Sequence, residues 1–173
     1  MKISVVIPTY NRRTELKRAV TSILRQSYSD FEIIVVDDAS TDDTFTYFNN
    51  GGLYANDTRV RYVSLPVNQG VHIARNHGIA SATGDFIIFL DSDDELLTEA
   101  IELAVGKVLE DVSVDFVMGS FRTDKGECTG LCVTESQYVD FNKLLCGKSF
   151  CQHKTCFVML RTTVAKQYKY SAP

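Results

Sequence analysis

Phe86-Ile87-Ile88-Phe89-Leu90 runs directly into Asp91-Ser92-Asp93-Asp94, and the reading of this junction decides the fold. The apolar run is entered through Thr83-Gly84-Asp85 and shows no polar alternation, which describes a short strand buried on both faces. Working outward, three similar runs precede it: Ile3 to Ile7, closed by Pro8; Phe31 to Val36, closed by Asp37-Asp38-Ala39-Ser40; and Val60 to Leu65, closed by Pro66. A fifth follows at Val114 to Phe121. Between the runs lie segments of helical period. Over Arg12–Gln26 the apolar positions are Leu16, Ala19, Val20, Ile23 and Leu24, with Thr14 or Asn11 available to cap the start. Further helices are predicted to about Asn49 behind Ser40 or Thr41, over Gly70–Ala82, and to about Leu109 behind Thr98.

Strand and helix in strict alternation, with short connections, predict a three-layer α/β/α sandwich around a mostly parallel, Rossmann-like sheet. Ligands of such sheets gather at the carboxyl ends of the strands. After Phe121 the pattern weakens: Thr123–Thr129 is polar, Ser136–Leu145 reads as helix and Thr155–Leu160 as strand. The expected organisation is a ligand-binding subdomain over residues 1–120 and the start of a second region over 121–173, within one compact domain.

A chain of 173 residues buries roughly 70% of its unfolded surface, enough for one sizeable core. Apolar residues at 45% and charged residues at 23% match an ordinary folded protein and exclude disordered and fibrous classes. The net charge of -4, with no block of like charges, gives no support for a nucleic-acid partner. No apolar run approaches the roughly 18 residues of a membrane span. Met1-Lys2-Ile3-Ser4 leads straight into the first strand without a signal-peptide core, so the expected location is cytoplasmic, with peripheral membrane attachment left to a longer parent chain. Five cysteines, Cys128, Cys132, Cys146, Cys151 and Cys156, argue against a complete disulfide framework. The gaps around His153, between Cys151 and Cys156, match no common zinc spacing.

Three strand ends offer chemistry: Pro8-Thr9-Tyr10-Asn11, Asp37-Asp38, and Asp91-Ser92-Asp93. In a parallel sheet they meet at one edge. If the last segment is extended, Asp91 and Asp93 share a face and Ser92 points away. A carboxylate pair beside a diphosphate suits Mg²⁺ or Mn²⁺, which takes one or two carboxylates and fills its shell with water and phosphate oxygens. Each residue also has a plainer reading. Pro8 can simply stop a strand, Tyr10 can cover the sheet edge, Asp38 can serve a helix N-terminus, and Arg75 can form a structural ion pair.

Taken together, Val5-Val6-Ile7-Pro8-Thr9-Tyr10-Asn11-Arg12, Ser22-Ile23-Leu24-x-Gln26 and Glu32-Ile33-Ile34-Val35-Val36-Asp37-Asp38-x-Ser40-x-Asp42 closely resemble the opening of family-2 glycosyltransferases. The resemblance continues through Asn68-Gln69-Gly70, Ala74-Arg75-Asn76-x-Gly78, Ala82-x-Gly84 and Phe89-Leu90-Asp91-Ser92-Asp93-Asp94, and covers about residues 3 to 120. It implies a glycosyltransferase A-type fold, a nucleotide diphosphate-sugar donor, a saccharide or lipid-linked acceptor, and transfer with inversion. By the same resemblance, Pro8, Thr9 and Tyr10 lie against the nucleotide base and Asp38 accepts its hydrogen bond. Asp91 faces the ribose or the metal shell, Ser92 sits between, and Asp93 coordinates Mn²⁺ or Mg²⁺ on the diphosphate. Gly70 permits close backbone approach, while Arg75 and Asn76 stabilise or line the same edge.

The family's catalytic base is an aspartate in an acidic motif beyond the donor half. No such motif is found before Pro173, so the base is expected further along a longer chain, with Asp124, Glu135 or Asp140 as substitutes. A chain without its base would hold a nucleotide-sugar and turn it over poorly, because proton removal contributes about 10²- to 10⁴-fold. The alternative function is therefore a nucleotide-sugar-binding module without turnover. A dehalogenase-type phosphatase is disfavoured because Phe89-Leu90-Asp91-Ser92-Asp93 ends the fourth strand, not the first, and continues to Asp94-Glu95. A dinucleotide-dependent dehydrogenase is disfavoured because no glycine-rich turn follows the first strand.

Overall fold

Because every residue of the runs beginning at Ile3 and Phe31 except Glu32 is buried, both faces of these strands must be covered, and the fold supplies a helical layer to each. The computed structural model describes residues 1–48, 52, 54–119, 121–122, 128–129, 157–168 and 170. The elements in order are β1 (Ile3–Thr9), α1 (Arg13–Leu24), β2 (Phe31–Asp37), α2 (Thr44–Phe48), β3 (Val60–Ser64), α3 (Val71–Ser81), β4 (Phe86–Phe89), α4 (Ala100–Glu110) and β5 (Phe116–Gly119). A short antiparallel pair, β6 (Phe121–Arg122) with β7 (Cys128–Thr129), precedes β8 (Phe157–Arg161) and α5 (Thr162–Gln167).

The main sheet has strand order β3-β2-β1-β4-β8-β5. β1 pairs in parallel with β2 and β4, and β2 with β3, whereas β8 runs antiparallel between β4 and β5. The mostly parallel α/β/α sandwich expected from the sequence is therefore present, with one reversed strand. The expected strand ending at Leu160 is β8, and it completes the same sheet as the first 120 residues. The fifth strand is shorter than expected, at Phe116–Gly119. The expected helix over Ser136–Leu145, the candidate bases Asp124, Glu135 and Asp140, and Cys132, Cys146, Cys151, His153 and Cys156 lie outside the described residues.

Two cores flank the sheet. On one face, Ile3, Val5 and Ile7 of β1 and Ile33 and Val35 of β2 pack with Leu16, Val20 and Ile23 of α1 and Ile101, Val105 and Val108 of α4. On the other, Val6, Ile34, Val36 and Ile87 pack with Ala74 and Ile79 of α3 and Ala165 of α5. The direction of crossover thus changes between β1 and β4, and the crevice belongs there.

The contact between α3 and β1 is too close for a side chain at Gly78, where a Cβ would stand 2.2 Å from Val6 Cγ1. Gly78→Ala is expected to destabilise the fold by about 1–3 kcal/mol through overpacking, read from the urea midpoint. Combining it with Val6→Ala should recover part of that loss; an unchanged midpoint in Gly78→Ala alone would contradict the packing.

The helix starts depart from the expected caps, and for Asn11 and Ser40 the reason is that their side chains bind where the ends of β1 and β2 meet. Arg12 occupies the N-cap of α1, which carries no side-chain cap. Asn11, in the left-handed region at φ 52, accepts hydrogen bonds from the N–H groups of Thr41 (2.7 Å) and Asp42 (3.2 Å). Ser40 is spent on Asp37, so α2 begins only at Thr44, whose N–H is held by Asp42. At α4 the start is Ala100 rather than Thr98, and Gln26 Oε1 accepts the N–H of Ile101 at 3.0 Å.

Candidate functional site

Where β4 ends, β1 does not. The β1–β4 ladder stops at the Val6–Phe89 pair, with one further bond from Leu90 N–H to Val6 O, while β1 stays paired with β2 to Thr9–Asp37. Even-numbered carbonyls of β1 face β4, as the bonds accepted by Lys2 and Val6 show, so the missing N–H of Pro8 faces the side where the ladder has ended. The switch of crossover direction falls at the same place, which is where sheets of this kind carry their ligand crevice.

Three loops meet around it. Asp38 N–H binds Thr9 O at 2.9 Å, and Asn11 N–H binds Ser40 Oγ at 2.8 Å, which joins the ends of β1 and β2. Buried Asp37 accepts Ser40 N–H, Ser40 Oγ–H and Tyr62 O–H, and so fixes the second loop from within. Burial first, and then the bond to Asp37, push the Tyr62 hydroxyl well above the usual tyrosine range. Asp38, only 4% exposed, accepts the N–H of Gln69 at 2.9 Å on one oxygen and that of Gly70 at 2.7 Å on the other. Gly70 stands at φ 88 and ψ 161, a conformation that only glycine adopts without strain, and it opens α3.

The acidic loop differs from the expected extended segment. Past the end of the ladder, Asp91 O finds its partner locally in Asp94 N–H at 3.0 Å, which closes a turn. Asp91 and Asp93 therefore do not share the face of a strand. Each instead meets its own arginine: Arg75 Nη2 binds Asp91 Oδ1 at 2.7 Å from α3, and Arg12 Nη1 stands 2.7 Å from Asp93 Oδ2 from the loop after β1. Ser92 between them is buried. Burial, then repulsion from Asp91 and Asp93, raises the Asp94 carboxyl above its ordinary range despite Arg12.

Three carboxylates are thus crowded at one turn, with two arginines opposing them. Among the described residues no group of three or more histidine, cysteine or acidic side chains is arranged to hold a metal ion. The donor set fits a hard cation held by one or two carboxylates with the rest of its shell left to a ligand. The Arg12–Asp93 pair is half-exposed, which makes it a replaceable contact rather than a buried one.

Four buried side-chain polar atoms among the described residues have no partner: Thr9 Oγ1, Thr44 Oγ1, His72 Nδ1 and Arg75 Nε. Thr9 closes β1, and His72 and Arg75 lie in the first turns of α3. Such atoms are uncommon in folded proteins and are often completed by a ligand or water.

Pro8, Thr9, Tyr10, Asp38, Gly70, Arg75, Asp91, Ser92 and Asp93 thus gather around one rim, with Tyr10 at 43% exposure presenting its ring outward. Asn76 stands apart, because its side-chain amide is committed in both directions to the backbone of Tyr170 at 2.9 Å. Arg12 and Tyr62 build the rim without having been assigned to it from the sequence, while Asn11 and Asp37, named there only as strand-end groups, hold its loops together. For Arg12 a signal existed, since it closes the Val5–Arg12 stretch on which the family resemblance rests. Nothing in the sequence brings Tyr170 to Asn76.

The strand order, the reversed β8 and the acid-lined crevice define an α/β protein of the glycosyltransferase A-type. Residues 4–166 match the sequence model of Glycosyl transferase family 2, and the chain belongs to that family. It is 36% identical over 149 residues to an uncharacterized glycosyltransferase of Haemophilus influenzae, covering 86% of this chain and 58% of that protein. It is 42% identical over 110 residues to the GalNAc(5)-diNAcBac-PP-undecaprenol beta-1,3-glucosyltransferase of Campylobacter jejuni, covering 63% of this chain and 35% of that one. The crystal structure of S. aureus TarS 1-349 in complex with UDP-GlcNAc superimposes with a TM-score of 0.77 at 25% identity, over 96% of this chain and 47% of that one. The chain therefore spans between about a third and three fifths of the length of these relatives. No helix among the described residues is long and apolar enough to cross a membrane.

Proposed function

We propose that this chain holds the donor of an inverting, metal-dependent glycosyltransferase, which moves a sugar from a nucleotide diphosphate-sugar to an acceptor hydroxyl. Residues 1–120 would form the donor-binding part, and 121–173 the beginning of the acceptor side. The observation that carries the reading is the Arg12–Asp93 pair, because it sets the tip of the acidic turn beside the Pro8–Tyr10 segment.

The geometry supports the following roles. Tyr10 offers an exposed ring for a base to stack on, and Thr9 Oγ1 has a hydrogen bond to give or accept. A carboxylate has about four acceptor sites, so Asp38 can receive a base N–H in addition to Gln69 and Gly70. Arg75 neutralises Asp91, which limits the repulsion a diphosphate meets. Asp93, freed from Arg12, would hold Mn²⁺ or Mg²⁺ together with Asp91, and Arg12 would then turn to the phosphates. When bound, the metal supplies Lewis-acid stabilisation of the departing diphosphate. The name of the Campylobacter jejuni relative contains a lipid-diphosphate-linked saccharide, and an acceptor of that class is the one proposed here.

Titration calorimetry with a panel of nucleoside diphosphates, with and without Mn²⁺, tests this directly. The expected result is metal-dependent binding that weakens at least about tenfold in Asp93→Ala, since one charged contact of this kind contributes about 1.5–3 kcal/mol. Equal affinity in the two proteins would refute the role of Asp93.

A further inference from the structure

Arg75 reaches Asp91 from a socket built by a distant part of the chain. Its guanidinium lies 5.7 Å from the ring centre of Tyr170 and 6.0 Å from that of Phe89. Tyr170 stands edge-on to Phe89 at 5.8 Å and tilted against His72 at 5.6 Å, so its ring touches β4, α3 and the arginine together. The backbone of Tyr170 is fixed by Asn76, whose Nδ2–H donates to Tyr170 O and whose Oδ1 accepts Tyr170 N–H, both at 2.9 Å. A side-chain amide used in both directions acts as a strand partner would, and it defines where the ring sits.

We infer that Tyr170, seated by Asn76, is a positioning residue that holds Arg75 on Asp91 and so shapes the metal and diphosphate site from 79 positions away in sequence. The inference deepens the proposed function and rests on it for its effect on ligand. The physical route is short. Arg75 is a long side chain with only one of its donors, Nη2, on Asp91, and its Nε–H is buried without a partner. One hydrogen bond does not fix a guanidinium; two flanking aromatic faces do. Orientation of Arg75 decides which oxygen of Asp91 stays open, because Oδ1 is occupied. It follows that the segment after α5, on the side assigned to the acceptor, is coupled to the donor edge through a single arginine. Asn76 thereby acts on the site through Tyr170 rather than by touching the donor.

The test uses the whole chain with Tyr170→Ala, Tyr170→Phe and Asn76→Ala. The first readout is the Arg75 Nε–H resonance in arginine-selective NMR, assigned by its loss in Arg75→Lys. Burial protects that proton from exchange, so the signal is expected in the wild type and in Tyr170→Phe, which keeps the ring, and is expected to vanish in the other two. The second readout is nucleoside diphosphate affinity with Mn²⁺, expected to fall about fivefold to tenfold in Tyr170→Ala and to be restored in Tyr170→Phe. A tyrosine that only stabilised the fold would lower the melting temperature and leave the Arg75 signal in place, which would overturn the inference. If the wild type binds no diphosphate, the donor reading fails, and the latch is still decided by the NMR signal. If it binds and Tyr170→Ala binds equally well, the latch alone is wrong.

Discussion

Asp38→Ala is expected to remove nucleotide binding and about 3 kcal/mol of stability together. The carboxylate is buried and accepts two backbone N–H groups, from Gln69 and Gly70, at the start of α3. Alanine leaves both donors without a partner in a closed environment, and an unsatisfied buried donor costs about 1–3 kcal/mol. Gly70, at φ 88, is held in place by this carboxylate, so the loop is expected to relax and the rim to lose its third wall. A loss of about 3 kcal/mol in binding is about 100-fold in affinity. Asp38→Asn separates the two effects. Its carbonyl can keep one N–H while its NH₂ opposes the other, so it should retain roughly half of the stability and still fail to accept the base N–H. Urea denaturation and calorimetry on the three proteins check this. An Asp38→Ala variant that stays as stable as the wild type, or binds as well, would show that Asp38 neither builds nor serves the site.

The same residues explain what the sequence could and could not disclose. The alternation of strands and helices was legible because β1, β2 and β4 are buried on both faces, and such strands are written as unbroken apolar runs. The direction of β8 was not, since a five-residue run carries no sign of parallel or antiparallel pairing. The helix caps misled for a physical reason: Asn11 and Ser40 are good caps in isolation, but each finds other partners where the ends of β1 and β2 meet. The geometry of the acidic pair was misread. An i, i+2 rule holds only while the backbone is extended, and Asp91 O had no strand left to bind. The arginines that meet the acids come from elsewhere in the chain, Arg12 from the loop after β1 and Arg75 from α3, so no pattern within the acidic loop itself announces either pairing. Tyr62 escaped for the same reason, and Asn11 and Asp37, read only as strand-end groups, hold loops against one another.

At the opposite end of the sheet, Glu32 is expected to dominate the acid limb of stability. Its side chain is 12% exposed and receives Ser4 Oγ–H at 2.6 Å and Thr83 N–H and Oγ1–H at 2.8 Å, with Lys2 Nζ at 3.4 Å and Arg61 Nη2 at 3.8 Å. Burial opposes its ionisation, but the bonds from Ser4 and Thr83 and the charge of Lys2 outweigh burial and hold the carboxyl at about 2, against an ordinary 4.5. A carboxyl depressed in the folded state contributes stability that is complete above its unfolded value and is lost as the pH falls through the folded one. The contribution is therefore about 3 kcal/mol at neutral pH and disappears between about pH 5 and pH 2. In Glu32→Gln the glutamine's NH₂ faces Lys2 and Arg61, and no proton remains to be taken up at this position. The variant should be less stable by about that amount at pH 7, show a flatter stability profile below pH 5, and converge on the wild type near pH 2. Chemical denaturation at stepped pH measures the gap directly. A gap that stays constant from pH 7 to pH 2 would mean that the bonds around Glu32 contribute through packing and not through its charge. The location matters for the site as well. Ser4 Oγ also accepts Gly84 N–H, and a Cβ at Gly84 would stand 2.7 Å from Lys2 O, so this network seats the turn that leads into β4. Loosening it should disturb the register of Phe86 against Ile3, and with it the point at which β4 releases Asp91 into the crevice.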